Sequence, residues 1–90
     1  MTQTILFDIE STGLLRRGSN IHCIVARDMS TVDQHMVFDN RPDQSVMMGV
    51  QTLLNAGTLV GHNIIGYDIP LIQEAYDFDF KGKVVDTLVL

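Results

Sequence analysis

Tryptophan is absent from the ninety-residue sequence, cysteine occurs once, proline twice, and basic residues are scarce. Each shortage excludes something. The lone Cys23 cannot close an internal disulfide; it falls in a predicted strand, reads as a small buried hydrophobe and suits a reducing cytoplasm. Six Lys and Arg against eleven Asp and Glu give a net charge of −5, the wrong sign for a protein that holds nucleic acid by bulk electrostatics. That balance still permits a nuclease in which acids hold cations and the cations meet phosphate. No apolar run approaches the ~18 residues of a membrane-spanning helix, and no basic segment followed by an apolar one marks a secretory leader. No repeat, low-complexity tract or linker interrupts the chain. The apolar content is an ordinary 46%, in a length that suits one small domain over residues 1–90.

Residues 3–10 read as a first strand, apolar from Thr4 to Phe7. Gly13, Gly18, Ser19 and Asn20 make 11–20 a loop. Residues 21–28 predict a second strand and Gln34 to Asp39 a third. The short connections make these antiparallel neighbours, a meander with the first strand. His22 and His35 read as ordinary strand residues. Pro42 and Asp43 predict a helix start with Asn40 as its cap. Val46, Met47, Val50, Leu53 and Leu54 recur at helical spacing as its apolar face, the methionines reading as core. Gly57 is placed for a left-handed cap at its end. A fourth strand, Thr58 to His62, follows. The intervening helix makes a crossover that puts this strand parallel to the first. Pro70 suits the first turn of a second helix entered at Asp68 or Ile69, with Leu71, Ile72, Ala75 and Tyr76 as its buried side. Val84-Val85 predicts a brief fifth strand, and Asp86 a cap for a helix beginning at Thr87.

Chemistry concentrates in two stretches. Asp8 and Glu10 stand at the far end of the first strand, where period-two alternation turns both to one face. Ser11-Thr12-Gly13 then ends the strand. Two such acids form a hard-oxygen pocket suited to Mg²⁺ or Mn²⁺; the alternative is a pair of solvated strand-end carboxylates. The second stretch, His62-Asn63-Ile64-Ile65-Gly66-Tyr67-Asp68, brings a third acid to the mouth of the fourth strand, beside the first two if the crossover forms as predicted.

The D-x-E-x-T-G-L of Asp8 to Leu14 and the N-x-x-x-Y-D of Asn63 to Asp68 resemble the first two motifs of the DEDD 3′–5′ exonuclease superfamily. Across nearly the whole chain, the acidic first strand, Ile21-His22-Cys23, Gly61-His62-Asn63 to Pro70 and Val85 to Leu90 are similar to the N-terminal proofreading domain of bacteriophage family A DNA polymerases. The resemblance implies an α/β, ribonuclease H-like mixed sheet of order 3-2-1-4-5 with flanking helices and its C-terminal part missing. It implies phosphodiester hydrolysis at the 3′ end of single-stranded DNA with two metals, Mg²⁺ or Mn²⁺. Asp8 would bridge both metals, Glu10 would serve the one activating water, and Asp68 the one at the leaving oxygen. Ser11, Thr12 and Leu14 match positions contacting the terminal nucleotide, and Asn63 and Tyr67 match positions near the substrate strand. Leu14 and Tyr67 read equally as packing residues, and Asn63 as a loop-shaping one. The implied setting is the cytoplasm of a bacterium or phage-infected host.

The family's third motif, with a fourth carboxylate and a Tyr or His base, is not found in the ninety residues. Tyr76, Asp77 and Asp79 come too early to supply it. Three readings stay open. The chain is the front part of a proofreading exonuclease working with the remainder of a DNA polymerase; or a catalytically inactive module of the same fold that binds DNA ends or a polymerase partner; or a nuclease that completes its site with a second copy.

Overall fold

In a computed structural model the described residues are 3–11, 21–30 and 35–89. They form five strands and two helices in the order β1 (Thr4–Ser11), β2 (Ile21–Asp28), β3 (His35–Phe38), α1 (Val46–Leu54), β4 (Thr58–Gly61), α2 (Ile69–Ala75) and β5 (Lys83–Asp86). A π-helical turn, Ile64–Asp68, leads into α2, and a 3₁₀ turn, Thr87–Val89, follows β5. The sheet order is β3-β2-β1-β4-β5, as expected. β1 pairs antiparallel with β2 and parallel with β4, and β5 lies parallel to β4.

Alternation along β1 divides the molecule. Ile5, Phe7 and Ile9 are buried, whereas Leu6, Asp8 and Glu10 are exposed. The buried set meets Ile24 and Ala26 of β2, Leu59 of β4, Val46, Val50 and Leu53 of α1, and Leu71 and Ile72 of α2. Each fully buried Leu, Ile or Phe stabilises the fold by about 1.5–3 kcal/mol over leaving it in water. Both helices therefore cover one face among the described residues. The register carries the opposite face across all five strands: Leu6 sits between Arg27 and Val60, Val60 beside Val85, and Asp8 beside Val25 and then Val37. Gly49 lets α1 approach β3 closely, since a Cβ there would stand 2.9 Å from the Phe38 ring.

Several expectations need correction. The first helix begins at Val46, not near Pro42, and Ser45 is its cap, its hydroxyl accepting from Met48 N–H at 3.2 Å. Asn40 and Asp43 have φ near +70°, a conformation that cannot open a right-handed helix. Asn40 contributes from outside the helix, its Oδ1 accepting from Val46 N–H at 2.9 Å. Met47 and Met48 point outward, 48% and 49% exposed, so the apolar face rests on Val46, Val50 and Leu53. Ala75 is exposed and Cys23 only half-buried. Phe78, in a segment read as plain loop, joins the core.

Candidate functional site

β4 pairs with β1 only as far as Leu6 and Val60. Beyond that point no described strand pairs with β1 on this side, and buried backbone groups must find a partner. Asp68 fills the gap: its carboxylate accepts a hydrogen bond from the Ile9 N–H. The side chain is 4% exposed, and its Oδ2 is buried without a hydrogen-bond partner. Burial, and next the negative charge of Asp8, push the Asp68 pKa up to about 6, against the lowering by the Ile9 N–H. The negative charge of Asp8 thus reaches Asp68, and β4 lies parallel to β1 as the predicted crossover requires.

Glu10 lies on the Asp8 face, opposite Cys23. Among the described residues no group of three or more His, Cys, Asp and Glu is arranged to hold a metal ion. For a divalent cation the fit is therefore that of a pair. Asp8 and Asp68 offer two like charges and one unpartnered buried oxygen, which a cation would relieve.

Of the residues matched to substrate contacts, Ser11, Asn63 and Tyr67 come together around the π-helical turn; Thr12 and Leu14 lie outside the described residues. A β-bulge between Glu10 and Ser11 interrupts the β1–β2 register and re-aims the chain at this point. Ser11 Oγ lies 2.7 Å from the Tyr67 hydroxyl. Asn63 takes the left-handed conformation, φ 59° and ψ 31°, which Asn tolerates better than most residues. Its carbonyl accepts from Tyr67 N–H at 3.1 Å. Gly61 precedes this turn, and a Cβ there would collide with Ile64 and stand 3.0 Å from the Phe7 carbonyl.

Three residues acquire importance that their sequence context did not signal. Asp86, expected to cap a helix, does accept from Leu88 N–H at 2.9 Å, but also from Asn63 N–H at 2.7 Å and Ile65 N–H at 2.9 Å. Burial disfavours its charge, yet the N–H groups of Ile65, Leu88 and Asn63 outweigh that and hold its pKa below the ordinary carboxylate range. His62 and Arg27 line, with Leu6, Asp8, Val25 and His35, a hollow of about 430 Å³ on the helix-free face. His62 directly follows Gly61, the last residue of β4.

The fold recurs in a DNA polymerase. The chain superposes on part of the family B DNA polymerase of the hyperthermophilic archaeon Pyrobaculum calidifontis with a TM-score of 0.62 and 19% sequence identity. The likeness covers 82% of this chain and 11% of that one, so the ninety residues span about a tenth of the polymerase. No family model matches the sequence, and no curated protein matches it. The shared property is the small α/β architecture, which is compatible with a ribonuclease H-like arrangement.

Proposed function

We propose that the chain is the front part of a metal-dependent 3′–5′ exonuclease domain of the proofreading type, acting on the 3′ end of single-stranded DNA within a polymerase of the phage kind. One observation carries the reading: Asp68 lies buried against the end of the central strand, with one carboxylate oxygen unpartnered and within reach of the negative charge of Asp8. The D-x-E and N-x-x-x-Y-D motifs that supply them, and the fold shared with part of a DNA polymerase, support it.

In this reading Asp8 and Asp68 hold Mg²⁺ or Mn²⁺, with Glu10 reaching the cation from the same strand. The bound metal would supply Lewis acidity toward the phosphate and a nucleophilic water. The chain's own residues do the rest. Ser11 and Tyr67 form a hydroxyl pair 2.7 Å apart, one donating to the other, that would meet a terminal sugar or phosphate, and Asn63 shapes the loop that holds Tyr67. Protons compete with the cation for Asp68, so cation affinity falls as pH drops below about 6. The missing fourth carboxylate and base come from elsewhere in the polymerase; a general base contributes about 10²–10⁴-fold to rate.

A second reading is favoured by the absence of a three-acid group among the described residues: a catalytically inactive module of the same fold that binds DNA ends. The deciding assay is Mg²⁺- or Mn²⁺-dependent release of nucleotides from 3′-labelled single-stranded DNA, by the wild-type chain and by an Asp8→Ala/Glu10→Ala variant. Release that the double change abolishes supports the nuclease. A folded protein that binds the DNA and releases nothing supports the binding module.

A further inference from the structure

We propose that Asp86 is a positioning residue for the Asp8–Asp68 pair: it fixes the π-helical turn that carries Tyr67 and Asp68 by holding the backbone of Asn63 and Ile65. The inference rests on the functional reading above for the meaning of the site, and on the following geometry for the strut itself.

An aspartate that ends a strand and caps the next turn needs one backbone bond, and Asp86 makes that one to Leu88. Its other two bonds run to residues 23 and 21 positions earlier, Asn63 on Oδ1 and Ile65 on Oδ2. Both carboxylate oxygens are thus committed, in a side chain only 3% exposed. The two donors are at the start of the turn, where the chain reverses through the left-handed Asn63. Hydrogen bonds to a charged acceptor are shorter and stronger than neutral ones, and here they fall on backbone N–H groups that a helix start leaves without internal partners. A parallel tie joins the same elements: His62 Nδ1 lies 3.2 Å from Thr87 Oγ1.

The far end of the turn is held by the Ser11–Tyr67 hydroxyls and by the Ile9 N–H on Asp68. Asp68 itself sits beside a like charge with one oxygen unpartnered, an arrangement that the carboxylates alone would relax by moving apart. Pinning the turn at both ends, from β5 and from β1, holds Asp68 at the end of the central strand. Such supporting contacts fix ligand orientation in metal sites, and their loss typically weakens metal affinity about 10–100-fold.

The test compares Asp86→Asn, which keeps the size and one acceptor oxygen, with Asp86→Ala and with a control, Val50→Ala, which removes buried volume from α1 on the other side of the core. Two readouts are taken on the folded proteins: amide exchange of Asn63, Ile65 and Tyr67 relative to Ile24 and Leu59, and Mn²⁺ affinity by electron paramagnetic resonance. The expected result is a selective loss of protection over 63–67 and Mn²⁺ binding weakened by about 10-fold in Asp86→Asn, more in Asp86→Ala, with neither change in Val50→Ala. Unchanged relative protection of these amides in Asp86→Asn, or an equal loss of Mn²⁺ affinity in Val50→Ala, overturns the proposal. If the wild-type chain takes up no Mn²⁺, the reading of the site fails, and the strut is decided on the exchange data alone.

Discussion

Ser11 and Tyr67, separated by 56 positions, place their hydroxyl oxygens 2.7 Å apart. The contact ties the bulged end of the central strand to the turn that carries Asp68. A double-mutant cycle of Ser11→Ala and Tyr67→Phe, read by urea denaturation, is expected to give a coupling of about 0.5–1.5 kcal/mol. Strictly additive losses would show that the two hydroxyls act separately.

The raised pKa of Asp68 makes its charge a cost to the folded state. A folded value of about 6 exceeds the ordinary carboxylate value, so the folded chain binds this proton more tightly than the unfolded one. The cost is absent below about pH 4, grows as pH rises toward 6, and is complete above it. A shift of this size corresponds to about 3 kcal/mol. Asp68→Asn is therefore expected to stabilise the metal-free protein at pH 7 by roughly 1–3 kcal/mol, and the advantage should vanish near pH 4. Asp28, Asp39 and Asp86, whose pKa values are lowered, lose their contributions only at more acid pH and in both proteins alike. Denaturation series from pH 4 to 7 check this; an advantage independent of pH would contradict the assignment to the Asp68 charge.

Gly61 is where β4, β1 and the turn come closest. An added Cβ meets the Ile64 side chain and the Phe7 carbonyl, and the backbone on the Phe7 side cannot give way without disturbing the sheet. Gly61→Ala is expected to destabilise by about 1–3 kcal/mol and to shift the amide resonances of 63–68 more than those of α1. A neutral effect would mean that Ile64 rotates away freely.

The meander of β1, β2 and β3 was legible from the links between them, and the helix before β4 permits a parallel return; the full order, with β5 at the edge, came from the family resemblance. That order sets β4, and the turn that carries Asp68, beside the central strand that carries Asp8. Where the first helix starts was not legible, since Pro42 and Asp43 carry start signals but the positive φ of Asn40 and Asp43 delays it to Val46. Met47 and Met48 were misread because apolar residues fit a helical period on more than one face, and only the packing of α1 on β2 and β3 chooses between them. The double duty of Asp86 leaves no local mark: its distant partners are backbone N–H groups, which every residue but proline has.

The account stands or falls on whether Asp8 and Asp68 share a divalent cation, and thermal unfolding with and without Mn²⁺ asks this directly. A ligand that binds only the folded state stabilises it by about 2.7 kcal/mol at one hundred times its Kd. The wild-type melting temperature is expected to climb with Mn²⁺ concentration, and Asp8→Ala and Asp68→Asn are expected to lose that climb. A wild-type protein indifferent to Mn²⁺, or variants that gain as much as it does, would contradict the claim.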